Sequence, residues 1–204
     1  SISFKPATVG QAPIIAMIAG GTNTGKSWSS LLLARGMVGP NGRIAAVDTE
    51  GGRLSSLARY HKFDMAVMEP PFRPSRFAEY AETAEAEGYG ALLFDSGSMM
   101  HIGPGGYRDW HSQEVTRLSK GVEADRWKHD WPARRRPSED RQAMLYALLQ
   151  RRIPIIFSCR ARELTENRGG KVVPVGWHPT IHKELIFDVT LSFTLRPEYG
   201  KGVI

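Results

Sequence analysis

The chain has 204 residues, of which 41% are apolar and 24% are charged, a length and balance that fit a single globular domain with a sizeable core. It contains no apolar run long enough for a membrane span, and Ser1–Pro6 hold no apolar signal core, so we expect a cytoplasmic protein that does not contact membranes. A single cysteine, Cys159, excludes an internal disulfide and a cysteine-rich zinc site. The formal net charge of +6 permits a polyanionic partner such as nucleic acid.

Short apolar runs alternate with helical patterns along the chain, which predicts an α/β fold with a mostly parallel sheet. In chain order, the predicted elements are a strand at Pro13–Ala19, a helix at Ser27–Arg35 ended by Gly36, strands at Arg43–Val47 and Met65–Met68, a helix at Ser75–Glu87 capped by Ser75, a strand at Ala91–Asp95, a helix at about Glu139–Arg151 capped by Ser138, and a strand at Pro154–Ser158.

The alternation breaks between residues 97 and 137, which we interpret as an insertion in one domain spanning residues 1–204. Glycines predict a flexible start to this stretch, and His111–Ala124 is a candidate helix. Beyond the fifth strand, Gly169-Gly170 predicts a hairpin-type turn, and Glu184–Leu195 contains at least one further strand.

A phosphate-binding motif follows the first predicted strand. Residues 20–27 match the Walker A pattern G-x-x-x-x-G-K-[ST] in full, with a helix predicted after it. Glycines let successive N–H groups point at phosphate oxygens, and the helix N-terminus adds its positive end. Lys26 is expected to reach the β- and γ-phosphates, and the Ser27 hydroxyl to ligate Mg²⁺. The sequence thus predicts an ATP and Mg²⁺ site formed by Gly20, Gly21, Thr22, Asn23, Thr24, Gly25, Lys26, Ser27 and Trp28.

Two carboxylates at predicted strand ends could complete such a site. Asp95 ends an apolar strand, where a carboxylate that holds Mg²⁺ through water is expected, although it could instead cap a turn with Ser96. Glu50 could activate a water beside the γ-phosphate, or be a solvated turn residue before Gly51. Asp48 lies on the same face of the strand as Glu50, so spacing alone leaves both as general-base candidates.

Two arginines, Arg160 and Arg162, follow the fifth predicted strand. A cation at this strand end can sense the γ-phosphate or stabilise charge during phosphoryl transfer. The alternative interpretation is that both arginines are ordinary surface residues.

Taken together, Gly20–Ser27, Ile44–Glu50, Leu92–Ser96 and Ile155–Arg160 resemble the core of the RecA-like ATPases. The resemblance implies a three-layer P-loop fold, ATP hydrolysis, Glu50 rather than Asp48 as the catalytic base, and Arg160 as the phosphate sensor, where RecA itself usually has Gln. RecA-like ATPases commonly complete their sites between subunits, so a homo-oligomer is also implied.

More narrowly, the chain resembles phage nucleotide-binding proteins of the AAA-type RecA-like group, some of which are single-strand-annealing recombination ATPases. The residues that carry this likeness are Trp110, Pro137–Arg151, Arg160–Glu163 and Lys183–Val189. It implies a phage or prophage origin and a role in DNA recombination or replication.

A basic and aromatic segment lies at the end of the 97–137 stretch. Single-stranded DNA binders combine cations that follow phosphates with aromatic faces that stack on bases. The alternative is a solvated insertion whose tryptophans pack on the core. The predicted DNA-contacting residues are Arg126, Trp127, Lys128, Trp131, Arg134, Arg135 and Arg136.

The leading interpretation is therefore a Mg²⁺-dependent ATPase that handles single-stranded DNA. A small-molecule phosphotransferase with residues 126–136 as its lid, and a nucleotide-binding adaptor that does not hydrolyse ATP, are the alternatives. We interpret His101, His111 and His129 as structural or surface residues, because they lack metal-ligand spacing.

Overall fold

The computed structural model describes Pro6 and residues 14–196 of the chain. Its strands are β1 (Ile15–Gly20), β2 (Ile44–Asp48), β3 (Asp64–Val67), β4 (Ala91–Asp95), β5 (Ile155–Arg168), β6 (Lys171–Pro179) and β7 (Leu191–Leu195). Its α-helices are α1 (Lys26–Val38), α2 (Pro74–Ala86), α3 (Met99–Ile102), α4 (Tyr107–Leu118), α5 (Arg126–Ala133), α6 (Arg135–Leu149) and α7 (Leu185–Asp188). Short 3₁₀ helices span Arg53–Arg59 and Glu123–Asp125.

Six of these strands form a parallel sheet in the order β3-β2-β4-β5-β1-β7, and β6 pairs antiparallel with the outer part of β5. The predicted α/β class with a mostly parallel sheet is therefore confirmed. The register aligns Asp48 with Asp95 and Gly20 with Arg160. Because the strands are parallel, these residues meet at one edge of the sheet, where open α/β sheets bind ligands.

The core lies on both faces of the sheet, which gives three layers. On one face, Leu31 of α1 packs with Leu93 and Ile156. On the other face, Phe77 of α2 lies 5.1 Å from the ring of Phe94, and Phe94 stacks on Phe157 at 5.2 Å. Helix α6 adds buried Met144 and Leu148 to this second face.

Several predicted helix boundaries were wrong. Helix α1 continues through Gly36 and ends before Gly39, whose positive φ of 75° breaks the helical path. Helix α2 begins at Pro74 with Arg73 as its N-cap, since proline is well suited to the first helical position, so Ser75 is not the cap. Helix α6 begins at Arg135 and ends at Leu149, so Ser138 lies inside it.

The 97–137 stretch is mostly helical and contains α3, α4, α5 and the start of α6. Helix α4 covers Tyr107–Leu118 instead of the predicted His111–Ala124. It ends before Lys120 and Gly121, whose φ values of 51° and 79° lie in the left-handed region. The predicted strand at Pro13–Ala19 begins at Ile15, and Pro13 lies outside the described residues.

Strand β5 is much longer than the predicted Pro154–Ser158, because its outer half forms a hairpin with β6. Gly169 and Gly170 form the turn of this hairpin with φ of 60° and 81°, as predicted. Strand β7 confirms a strand within Glu184–Leu195, preceded there by α7. In the described part of the chain, no helix combines the length and apolarity that crossing a bilayer takes.

Candidate nucleotide site

The 20–27 loop, which carries the Walker A pattern, connects the end of β1 to the start of α1. Asn23 and Gly25 take positive φ values of 57° and 82°, which turn the backbone into a compact loop. The Thr24 hydroxyl donates to the Gly21 carbonyl at 3.0 Å, and Lys26 Nζ donates to the same oxygen at 2.5 Å. Lys26 therefore folds back along the loop, at the position from which it would reach phosphate oxygens.

Two glycines of the loop lie where a side chain would collide with neighbours. A Cβ at Gly20 would stand 2.5 Å from Thr24 Oγ1 and 2.9 Å from the Leu195 carbonyl oxygen of β7. A Cβ at Gly21 would stand 3.1 Å from the Trp177 ring, which belongs to the β5–β6 hairpin. The loop is thus packed between β7 and the hairpin, most tightly at Gly20.

A cleft of about 740 Å³ opens above the loop. It brings together the predicted residues of the loop, Glu50, Asp95 and Arg160. Thr24 is the one predicted loop residue that does not line the cleft, and its hydroxyl bonds within the loop instead. Arg162, the second predicted arginine, lies exposed on the hairpin. The cleft is lined by Gly20, Gly21, Thr22, Asn23, Gly25, Lys26, Ser27, Trp28, Asp48, Glu50, Arg53, Leu54, Ser56, Leu57, Asp95, Ser96, Arg160, Ala161 and Thr180.

The structure distinguishes the two carboxylates at the end of β2, Asp48 within the strand and Glu50 in the turn after it. Asp48 is buried, and its oxygens accept the backbone N–H groups of Glu50 at 2.6 Å, Gly52 at 3.1 Å and Leu54 at 2.7 Å. Three of its roughly four acceptor positions are therefore used to fold the turn. Glu50 is placed at the cleft by that turn, and its side chain remains 23% exposed.

Glu50 is held by an arginine from the opposite side of the cleft. Glu50 Oε1 accepts Arg160 Nη2–H at 2.7 Å and Arg160 Nε–H at 3.1 Å. Its other oxygen, Oε2, lies 3.6 Å from Arg53 Nη1. The backbone N–H of Arg160 donates to Ser98 Oγ at 2.9 Å, which fixes the strand exit from which the guanidinium extends.

Asp95 lies at the floor of the cleft beside Ser27. Burial raises the pKa of Asp95, and the neighbouring Ser27 hydroxyl partly opposes that rise. The peptide bond from Asp95 to Ser96 is cis. Thr49 holds this turn, because its hydroxyl accepts the Ser96 N–H at 2.8 Å and donates to the Ser96 carbonyl at 3.0 Å.

The donor set formed by Ser27 and Asp95 fits magnesium, which prefers hydroxyl, carboxylate and water oxygens. Burial also lowers the pKa of the Lys26 ammonium, while the charges of Asp95 and Glu50 act to raise it. A lysine that loses hydration in this way gains from an anion brought close to it.

Sequence reasoning missed the residues that form the rim of the cleft. Arg53, Ser56 and Leu57 come from the 3₁₀ helix after β2, and Thr180 follows β6. Trp28, which was predicted, is supported by Tyr60 and His61, whose rings lie 5.3 Å and 4.4 Å from its own. The turn glycines after Glu50 were the available signal for Arg53, whereas no local pattern pointed to Thr180.

The predicted DNA-contacting segment forms α5 and the start of α6, away from the cleft. Trp127 and Trp131 are 75% and 79% exposed, so they do not pack on the core. Being four residues apart on a helix, they share a face. Lys128 lies over the Trp127 ring at 5.8 Å, and Arg134 lies over the Trp131 ring at 5.7 Å.

Every cation of this segment has a carboxylate neighbour. The pairs are Arg126–Glu123 at 3.6 Å, Lys128–Asp125 at 2.5 Å, Arg134–Asp130 at 2.6 Å, Arg135–Glu139 at 2.8 Å and Arg136–Glu114 at 2.8 Å. Arg136 contributes to structure, because Glu114 has only 7% of its side chain exposed and shares its charge with Arg136 and Arg117. The segment thus offers exposed aromatic faces more than uncompensated positive charge.

Neither a protein-family model nor a curated protein matches this sequence. The function of the chain is therefore inferred from its own residues.

Proposed function

We propose that this chain is a Mg²⁺-dependent ATPase whose catalytic site is the cleft above the 20–27 loop. The observation that carries the proposal is the meeting of four groups from four strand ends in one cavity: the phosphate loop with Lys26, the pair Ser27 and Asp95, the carboxylate of Glu50, and the guanidinium of Arg160. Groups of these kinds recur in the sites of P-loop proteins that hydrolyse nucleoside triphosphates.

Backbone N–H groups of the loop and the ammonium of Lys26 would hold the β- and γ-phosphates. Ser27 would ligate Mg²⁺ directly and Asp95 would do so through water, and the bound ion would supply charge neutralisation at the phosphates. Trp28 and Leu57 on the rim offer apolar surface to the rest of the nucleotide.

Glu50 would accept a proton from the attacking water. Arg160 donates two N–H groups to this carboxylate. A γ-phosphate entering the cleft is a competing anion for the same guanidinium. We infer that Arg160 turns from Glu50 to the γ-phosphate, which frees the base and places a cation where negative charge develops.

The exposed tryptophans of α5 support single-stranded DNA as the partner. Stacking of a base on an aromatic side chain contributes about 1–3 kcal/mol and tolerates any sequence. Because the cations of α5 are paired with carboxylates, we expect stacking to dominate and the salt dependence of binding to be shallow.

The RecA-like resemblance adds the biological setting to this proposal: a phage protein that acts in DNA recombination or replication, in the cytoplasm of a bacterial host, as a homo-oligomer. This setting depends on the likeness of motifs described above.

A steady-state assay of phosphate release from ATP, with and without single-stranded DNA, tests the proposal. DNA-stimulated release supports it. Transfer of phosphate to a metabolite would identify a phosphotransferase instead, and binding without turnover would identify an adaptor. The interpretation of residues 126–136 as the lid of a phosphotransferase receives little support, because these residues do not line the cleft.

Double substitution Trp127→Ala with Trp131→Ala tests the DNA part of the proposal. The stacking energies above predict a loss of DNA affinity of at least about tenfold, with basal ATP hydrolysis unchanged. Tyr146→Ala is the matched control, because Tyr146 is an exposed aromatic residue of α6 outside this face. Equal DNA affinity in all three proteins would remove α5 from the proposal.

A further inference from the structure

A second cavity, of about 340 Å³, lies next to the nucleotide cleft. The segment after β6 connects the two, because Thr180 lines the cleft while the three residues after it line the second cavity. Its described lining contains no carboxylate and five basic side chains. The lining residues are His101, Tyr107, His111, Arg134, Ile181, His182 and Lys183.

Three rings form one wall of this cavity. The Tyr107 ring lies 4.7 Å from the His182 ring, and the His101 ring lies 5.8 Å from each of them. The Tyr107 hydroxyl is hydrogen-bonded to Ser138 Oγ at 3.0 Å, which fixes the ring. His111 Nε2 is engaged with the Asp130 carbonyl at 2.9 Å.

His101 has an unused polar atom. Its Nδ1 is buried and has no hydrogen-bond partner among the described residues. A buried ring nitrogen without a partner costs free energy, and such groups normally bond to protein, water or a ligand. His101 also lines the cavity, so a turn of its ring would let this nitrogen bond to a group held there.

The positive charge of the cavity comes from its two long side chains. Burial lowers the pKa of His101 to about 4, helped by His182, and burial also lowers the pKa of His182, so both rings are neutral at pH 7. Arg134 shares its charge with Asp130 at 2.6 Å. Lys183 is exposed and has no carboxylate within ion-pair distance in the part of the chain that the structure describes.

We propose that the second cavity binds a phosphate group, with Lys183 and Arg134 providing the charge and the His101 ring a hydrogen bond. The phosphate could belong to a small phosphate anion or to the backbone of a nucleic acid, since both present the same oxygens to these side chains. The proposal does not depend on ATP binding in the neighbouring cleft.

The test uses the full chain carrying Lys26→Ala, so that the phosphate loop contributes little to the signal. Inorganic phosphate, and separately an oligothymidylate without terminal phosphates, are titrated while the histidine ring resonances are followed by NMR. Sodium chloride at equal ionic strength controls for general salt effects. Saturable shifts of His101 and His182 are expected with at least one probe, and the probe that acts at lower concentration identifies the source of the phosphate.

Lys183→Ala added to this background should weaken binding about fivefold, which corresponds to about 1 kcal/mol. Lys171→Ala, which removes an exposed lysine of the hairpin, should leave binding unchanged. The proposal is overturned if neither probe shifts the two histidines beyond the chloride control, or if the two lysine variants bind equally. ATP binding to the wild-type chain is measured separately, so failure here leaves the proposed ATPase site standing.

Discussion

Replacing Glu50 by Gln removes the proposed base while retaining nearly the same shape. Gln can still accept a hydrogen bond from Arg160 but cannot take a proton from water. General-base catalysis contributes about 10²–10⁴ in rate, so the barrier to hydrolysis should rise by about 3–5 kcal/mol. We expect kcat to fall by that factor.

The same substitution should leave folding and ATP affinity nearly intact. Arg160 has half of its side chain exposed, and an ion pair of that kind contributes at most about 1 kcal/mol to the free energy of unfolding. Removing a negative charge beside the γ-phosphate should hold ATP affinity constant or tighten it. Calorimetric ATP binding and urea unfolding measure these two quantities.

Phosphate release, followed with a coupled assay, measures the rate. Glu163→Gln is the matched control, because Glu163 is an exposed carboxylate of β5 outside the cleft. Asp48→Asn is the contrasting variant, which should lose stability because Asp48 accepts three backbone N–H groups of the turn. Hydrolysis by Glu50→Gln at the wild-type rate would refute the role of Glu50 as base.

Three further predictions concern packing, charge and pH. Gly20→Ala should destabilise the fold by about 1–3 kcal/mol and weaken ATP binding, because the added Cβ meets Thr24 and the Leu195 carbonyl; urea unfolding that matches the wild type would contradict the packing described. Arg136→Ala should cost about 1–3 kcal/mol of unfolding free energy, because the nearly buried carboxylate of Glu114 loses one of its two arginine partners. Arg135→Ala, at an exposed side chain, should change nothing measurable in the same experiment. Folding lowers the pKa of His101 from 6.5 to about 4, so the unfolded chain binds more protons than the folded chain between these pH values. The free energy of unfolding should therefore drop by about 1–2 kcal/mol as pH falls from 6.5 to 4. His101→Phe should reduce that drop.

The strands and the loop at the carboxyl edge of the sheet were predictable because their signals are local. A run such as Ala91–Asp95 has the length and composition of a buried strand, and the structure places it at those residues. The Walker A pattern fixes both the turn and the start of the next helix. The parallel register brings Asp95 and Arg160 close together, and the turn after β2 adds Glu50 to the same cleft.

The helix boundaries and the second cavity were not predictable in this way. Gly36 ends no helix, because a glycine in helical conformation is only mildly unfavourable and α1 is held by packing on the sheet. His101, His111 and His182 are distant in sequence and meet only through α3, α4 and the segment after β6. The three hydrogen bonds that Asp48 accepts from the turn after β2 likewise could not be predicted from spacing.

Calorimetric titration of Mg·ATP into the full chain, wild type against Lys26→Ala, tests the central claim most directly. A triphosphate held by the 20–27 loop predicts saturable binding to the wild type and a loss of affinity of at least about tenfold, or about 1.4 kcal/mol, in the variant. Absence of binding to the wild type in the presence of magnesium, or equal affinity in the two proteins, would contradict the assignment of this cleft as a nucleotide site.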